Sequence, residues 1–437
     1  MDISLLSLLA LVISLYQFFL LFDSIGHIIP TRHLLGSFMC IQFFVGPTLV
    51  YNGLEKYQYF MYWMRIPELQ YFEYVIPAVA LFIIGLHINA GNYKGEVVDK
   101  KKVELFIQRN PKIPYLFIII GFLASIVAGY FGSELGFVFY LLGSFKFIGL
   151  FLLVLGTRQI KIWALVLVIG SIISSSLANG MFHDLLTWII FMAAIFGIKY
   201  KFDFKIKIIG LSALIFIVIV IQALKGSFRT ELSANGGNNG AQAFSKLYEE
   251  KNEQGGFLNI KSLGESVTRI NQGFIITNIM ITVPDLVPFS NGEEMRQILE
   301  AAILPRILAP DKLKAGDKSI FEKYSHIPLG GETSMGLSSI GDAYINFGIL
   351  GGVAFMFVLG WFYSAVLNSF HKNSFKYPVL ILFVPLVFYY PIRPDCELQT
   401  ILTHLFKSCF LIFVIIQVWK YKFRVPQLKM PAKLAQA

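Results

Sequence analysis

The stretch ISLLSLLALVISLYQFFLLF, residues 3–22, contains no charged residue. Its twenty residues match the length an α-helix needs to cross a hydrocarbon core about 30 Å thick. Asp2 precedes it and no basic residue does, so it reads as a permanent span and not as a cleaved leader. The rest of the chain repeats the pattern. Of 437 residues, 56% are hydrophobic and 15% are charged, against about 25% charged in a soluble domain. Backbone groups in lipid must bond within their own segment, which favours helices. A closed barrel would give short alternating stretches in place of long apolar runs. The predicted fold class is an all-α polytopic membrane protein with about eleven transmembrane helices. These lie near residues 3–22, 34–53, 72–90, 113–131, 136–155, 161–178, 184–199, 207–224, 345–368, 376–392 and 399–419. The chain divides into an eight-span bundle (1–224), a large connector (225–344), three further spans (345–419) and a basic tail (420–437).

Lys and Arg set the expected orientation. Alternate connectors and the tail hold twenty of them, among them Arg32, Lys94, Lys100, Lys101, Lys102, Lys199 and Lys372. The opposite short connectors hold only Lys56, Arg65 and Arg393. The positive-inside rule then puts the N-terminus outside, the C-terminus in the cytoplasm and the large connector outside. The net charge of +10 sits beside apolar runs, which points to an anionic lipid surface and away from nucleic acid. Cys40, Cys396 and Cys409 are scattered, two of them inside apolar runs, so no disulfide framework is expected.

The large connector is far longer than an ordinary loop, which marks it as functional. SANGGNNG (233–240) reads as flexible, and AFSKLYEEKNE (243–253) and GEEMRQILEAAILPRIL (292–308) read as short helices. GESVTRINQGFIITNIMITV (264–283) is an apolar-leaning helix expected on the membrane surface or dipping into it. Another surface candidate is KYQYFMYWMRIPELQYFEY (56–74), whose aromatic residues suit the lipid–water interface.

Four arginines lie at or near the expected outer rim: Arg229, Arg269, Arg306 and Arg393. A guanidinium there matches phosphate oxygens with a planar fork, though surface pairing and headgroup anchoring are the commoner uses. Arg393, between Pro391 and Pro394 in YYPIRPDCELQ, and Arg306, in LPRILAPDK, are the most rigidly placed. Asp342 has the position of a helix cap, whereas Glu332, in GGETS, has no helix to cap. His183, His326 and His404 are the imidazoles to weigh as proton carriers, against the commoner buried histidine bonded to a carbonyl. No metal-ligand spacing, phosphate-binding loop, nucleophile elbow or dinucleotide fingerprint occurs, so no metal and no cofactor is expected.

LPRILAPDK, followed by GGETSMGLSSIGDAYINFGILGG (330–352), resembles elements of the bacterial oligosaccharide repeat-unit polymerases, the O-antigen and capsule polymerases called Wzy. The matching positions are Pro305, Arg306, Pro310 and Asp311, then Gly336, Asp342, Tyr344, Asn346, Phe347, Gly348 and Gly351. The resemblance implies a bundle like that of the C-type glycosyltransferases, in the bacterial cytoplasmic membrane. It also implies metal-independent transfer of a growing glycan from undecaprenyl diphosphate onto the next lipid-linked unit, in O-antigen, capsule or exopolysaccharide synthesis. The four arginines would then hold the diphosphate. Glu332, His326 and Asp342 are the candidate bases, and Gly331, Ser334, Tyr344 and Asn346 the candidate sugar contacts. Membrane lipid and a chain-length regulator protein are the further partners implied. The alternatives are an O-antigen ligase or other lipid-linked-sugar glycosyltransferase, and a non-enzymatic transporter of lipid-linked sugars.

Overall fold

A computed structural model describes the chain except for residues 1–3, 55–61, 132, 158–160, 181, 235–239, 254–255, 259–263, 265–269, 305–307, 310, 315, 317, 331–334 and 425–437. Among the described residues the regular structure is helical, with no strand beyond an isolated bridge between Ile25 and Ile28. Among these described residues, ten helices are long and apolar enough to cross a membrane. The first five are α1 (Leu5–Ser24), α2 (Thr31–Gly53), α3 (Glu68–His87), α4 (Ile113–Tyr130) and α5 (Gly136–Gly156). Then come α6 (Ile162–Asn179), α7 (His183–Tyr200), α8 (Phe204–Ala234), α9 (Ser338–Ser374) and α10 (Leu398–Phe423). The chain is thus a multi-pass, all-helical protein of membrane type.

The expected tenth span, 376–392, is not a continuous helix. Phe375 lies under Lys102 at one end of the bundle, with the ammonium 5.8 Å from the ring, and Tyr389 bonds Asp184 at the other. The chain therefore crosses, but as a 3-10 helix (Pro378–Phe383), one α-turn (Val384–Val387) and a series of turns. Pro378, Pro385 and Pro391 deny it the amide hydrogens a regular helix needs. Irregular backbone is tolerated at membrane depth only inside protein, and every residue from Pro378 to Tyr389 is buried.

One further expectation changes. The eighth span does not end at 224, because α8 runs on to Ala234. No proline interrupts it, and polar residues end an apolar run without ending a helix. Within 264–283, the described helix Gly273–Thr282 is buried along most of its length and packs into the bundle. It docks on α2, where Gln272 N–H donates to the Gln42 carbonyl at 3.2 Å. That carbonyl belongs to a π-turn, Ile41–Val45, a feature that often marks functional positions in helices.

Lipid is as apolar as leucine, so close packing and hydrogen bonds must hold such helices together. α3 and α9 touch backbone to backbone: a Cβ on Gly85 would lie 2.4 Å from the Phe357 carbonyl oxygen, and one on Gly360 2.2 Å from that of Phe82. Arg32, counted above as a connector charge, is instead fully buried with Glu96. Its backbone N–H donates to Glu96 Oε1 at 2.8 Å, and its guanidinium pairs with Glu96 Oε2. The guanidinium also donates to the carbonyls of Leu86 and Lys94, at 2.9 Å each, and to Asn368 Oδ1 at 3.4 Å. These contacts join α2, the α3–α4 connector and α9.

Candidate functional site

At the end of the bundle opposite Arg32, three elements bring their charges together. α7 begins there with His183 and Asp184. α8 arrives with Lys225 and Arg229, one turn apart and hence on one face. The buried crossing emerges there as the turn Tyr389–Glu397, which carries Arg393 and Asp395. Lys225 Nζ lies 3.4 Å from His183 Nε2. An ammonium can only donate, so Nε2 accepts and the ring proton sits on Nδ1. Arg229 Nε donates to the Gly180 carbonyl at 3.3 Å, and the rest of its side chain is exposed.

Arg393 is held from several sides. Its N–H donates to the Tyr390 carbonyl at 2.9 Å, and its carbonyl accepts from Cys396 N–H at 3.1 Å. Its guanidinium lies over the Tyr390 ring, 5.1 Å from the centroid. Nε is buried and has no hydrogen-bond partner among the described residues. Burial works against the charge on Arg393. Cys396, Asp395, Tyr389 and Tyr390 offset it, Asp395 being the ionised one, and the pKa stands above the usual arginine range. Asp395 is the reverse case. Burial alone would raise its carboxyl, but His183, Arg393, its own N–H and the Gln42 side chain bring it below the usual carboxylate range. Burial pushes the Cys396 thiol up to about 12, which leaves it inert at neutral pH.

Beneath these charges the turn rests on aromatic rings. Tyr389 donates to Asp184 Oδ1 and stacks on Trp188, with centroids 5.6 Å apart. Tyr390 packs on His404 at 4.9 Å, and His404 Nε2 bonds the Leu386 carbonyl at 2.7 Å. His404 thus anchors the crossing, while His183, Asp184, Lys225, Arg393 and Asp395 keep part of their surface open. Three cations against two carboxylates, one guanidinium nitrogen without a partner, and an imidazole beside them suit an anion that brings several oxygens.

The other candidates lie elsewhere. Arg269, Arg306, Gly331, Glu332 and Ser334 fall outside the described residues. His326 is exposed just past the helix Lys318–Ser325, with a positive φ of 51°. Asp342 is 3% exposed, and its Oδ2 accepts the N–H of Leu398 at 3.0 Å, so it caps α10 and not its own helix. Asn346 Oδ1 accepts from Ser290 Oγ at 2.6 Å and from Met295 N–H at 2.9 Å, and its Nδ2 donates to the Asp342 carbonyl at 2.7 Å. Tyr344 donates to the Val283 carbonyl at 3.3 Å and packs against Tyr74. Gly336 presses on the Arg393 turn: a Cβ there would lie 2.5 Å from Glu397 N and 3.1 Å from Cys396 C. The motif residues Gly336 and Asp342 therefore brace the junction from which Arg393 projects, while Asn346 ties α9 to Ser290 and Met295. Gly336→Ala is expected to shift that junction and lower the thermal unfolding temperature in detergent by several degrees. An unchanged midpoint would contradict the close approach.

The sequence singles out His183 without joining it to Arg393, and gives no weight to Lys225 or Gln42. The i, i+4 pair Lys225 and Arg229 was the available signal, hidden by ending the helix at 224. Among the described residues no group of three or more His, Cys, Asp or Glu side chains is placed to hold a metal ion. No curated protein and no solved structure matches the chain. A family model described as a domain of unknown function, DUF8712, matches residues 25–422. With nearly its whole length matched, the chain belongs to the DUF8712 family.

Proposed function

We propose that the protein is a polysaccharide polymerase. It moves a growing glycan from a polyprenyl diphosphate onto a lipid-linked repeat unit at the outer face of a bacterial cytoplasmic membrane. The observation that carries this reading is the convergence of Arg393, Lys225 and Arg229 around His183, with Arg393 Nε unpartnered. Inside-positive orientation puts that end of the bundle outside. The resemblance of residues 304–312 and 330–352 to the Wzy polymerases names the substrate class. α8 also bears on the route of supply. From Phe204 to Ile219 it has no buried side chain, so the helix leading to Lys225 lies open to lipid. A substrate dissolved in the bilayer reaches the cluster along it.

In this reading the bond from the anomeric carbon to the diphosphate oxygen breaks, and its electron pair leaves with the diphosphate. Arg393, Lys225 and Arg229 meet the charge that develops, the role in which fixed donors contribute most. An acceptor sugar hydroxyl forms the new bond and releases a proton. His183 takes it at Nε2 once Lys225 has turned to the diphosphate, and Asp395 supports the resulting imidazolium. Glu332 and His326 are the loop-borne alternatives for that step, Asp342 being engaged at Leu398.

The test is purified full-length protein with synthetic polyprenyl-diphosphate repeat units and a chelator. The expected product is a ladder of lengthening lipid-linked glycans. Unchanged single units with and without added divalent metal would overturn the reading. In cells, deletion is expected to accumulate single lipid-linked units, whereas loss of a ligase would accumulate lipid-linked polymer.

A further inference from the structure

Beside the Arg32–Glu96 pair, two imidazoles meet across α2 and α3. His33 is fully buried, and His87, the last residue of α3, is half-buried. Their ring centroids are 5.4 Å apart, with 36° between the planes. Both Nε2 atoms are buried, and neither has a hydrogen-bond partner among the described residues. Buried polar atoms are rarely left unpaired, and two of them on adjacent rings mark a place where something binds.

The far nitrogen of each ring decides what its Nε2 can do. His87 Nδ1 lies 2.8 Å from the Ile83 carbonyl. A carbonyl only accepts, so Nδ1 carries the proton and Nε2 presents a lone pair. A backbone carbonyl in that place is the usual support behind a metal-ligating histidine. His33 Nδ1 lies 3.3 Å from the side-chain amide of Gln17, which is buried on α1. With that amide turned over, its oxygen accepts the Nδ1 proton, and His33 Nε2 presents a lone pair as well. The turn gives up only a 3.4 Å contact to the His33 carbonyl. Gly36 makes room for Gln17: a Cβ there would lie 2.8 Å from the amide carbon and nitrogen.

The spacing selects the guest. An ion about 2.0–2.1 Å from each Nε2, with a tetrahedral angle between the two bonds, sets the ring centroids about 5 Å apart. A water about 2.9 Å from each, at the same angle, would spread them to about 6.5 Å. The observed 5.4 Å matches the ion. Nor does the neighbouring Arg32 oppose a second cation, because Glu96 matches its charge. We propose that His33 and His87 hold a transition-metal cation of borderline softness, Zn²⁺ being the type, which pins α2 to α3. Gln17 is a positioning residue behind His33, and solvent reaches the ion's remaining positions past the half-buried His87. The site lies at the Arg32 end of the bundle and shares no residue with the cationic cluster, so the proposal stands apart from the catalytic reading.

The experiment uses untagged full-length protein in detergent, stripped with a chelator and titrated with Zn²⁺ by calorimetry while its unfolding temperature is followed. Uptake is expected to saturate at about one ion per chain and to raise the unfolding temperature, as a ligand of the folded state must. H87Q removes a ligand and should weaken binding at least about a hundredfold, since loss of an outer partner alone costs about 10–100-fold. Q17L keeps both imidazoles and should weaken it about tenfold. Q17E, whose oxygens can accept the Nδ1 proton, should restore it. A wild-type protein that takes up no Zn²⁺ overturns the proposal, and that measurement needs no variant to fold. Equal uptake and equal thermal shift in H87Q and wild type overturn it independently. Binding by Q17L as tight as by the wild type overturns the part given to Gln17.

Discussion

Replacing Arg393 with glutamine is expected to abolish long glycan chains, with at least a hundredfold less polymer formed, while single lipid-linked units persist. Loss of one preorganised donor to a developing oxyanion costs about 10²–10³ in rate, and Arg393 presents several donors. It is also the cation least replaceable by a neighbour. Its turn is fixed by Pro391, Pro394 and the Tyr390 ring, and its Nε is spent on no described residue. Arg393→Lys keeps the charge without the fork and should recover only part of the activity. Arg229 is exposed, so Arg229→Gln should cost less. The measurement is the glycan ladder from reconstituted protein, taken with the unfolding temperature of each variant. Wild-type ladders from a folded R393Q protein would contradict the role given to this residue.

The second large effect concerns stability at the other end of the bundle. Arg32→Met removes the cation from a pair whose side chains are both 0% exposed, and leaves the buried Glu96 Oε2 without its guanidinium donor while the backbone N–H still reaches Oε1. Breaking a buried pair from one side costs about 3–5 kcal/mol. The unfolding transition of R32M in detergent is expected to move down by many degrees. Replacing both partners with methionine removes the stranded charge along with the pair, so the double variant should regain most of the loss. A single variant as stable as the wild type would mean that the pair contributes nothing. A double variant as unstable as R32M would mean that the carbonyl contacts of Arg32, not its pairing with Glu96, hold α2 in place.

Much of the architecture was legible because apolar runs of twenty residues have one economical solution in lipid. The misses have physical causes. Residues 376–392 satisfy a hydropathy criterion that does not register what three prolines do to a helix. α8 passes through Lys225 and Arg229 because polar residues are compatible with a helix, and only the end of the apolar run suggested a boundary. The site was legible in part. Arg393 stood out by its flanking prolines, and Arg229 by its place near the membrane rim. Its junction with His183 and Lys225 was not, because contacts among residues 42, 183, 225 and 393 are made by the packing of four separate helices and turns. The acid–aromatic–Asn run was legible as a motif, yet Asp342, Tyr344 and Asn346 spend their polar atoms on Leu398, Val283, Ser290 and Met295. Asp342 holds the end of the Arg393 turn, and Tyr344 and Asn346 tie α9 to Val283, Ser290 and Met295, uses that a sequence pattern cannot distinguish from contact with sugar.

The most direct test is an experimental map of the full-length protein in a bilayer mimic with a polyprenyl diphosphate bound. The account predicts the two phosphates between Arg393, Lys225 and His183, with the hydrocarbon chain descending along the unburied face of α8. Phosphates bound away from Arg393, or at the end of the bundle that holds Arg32 and Glu96, would contradict it.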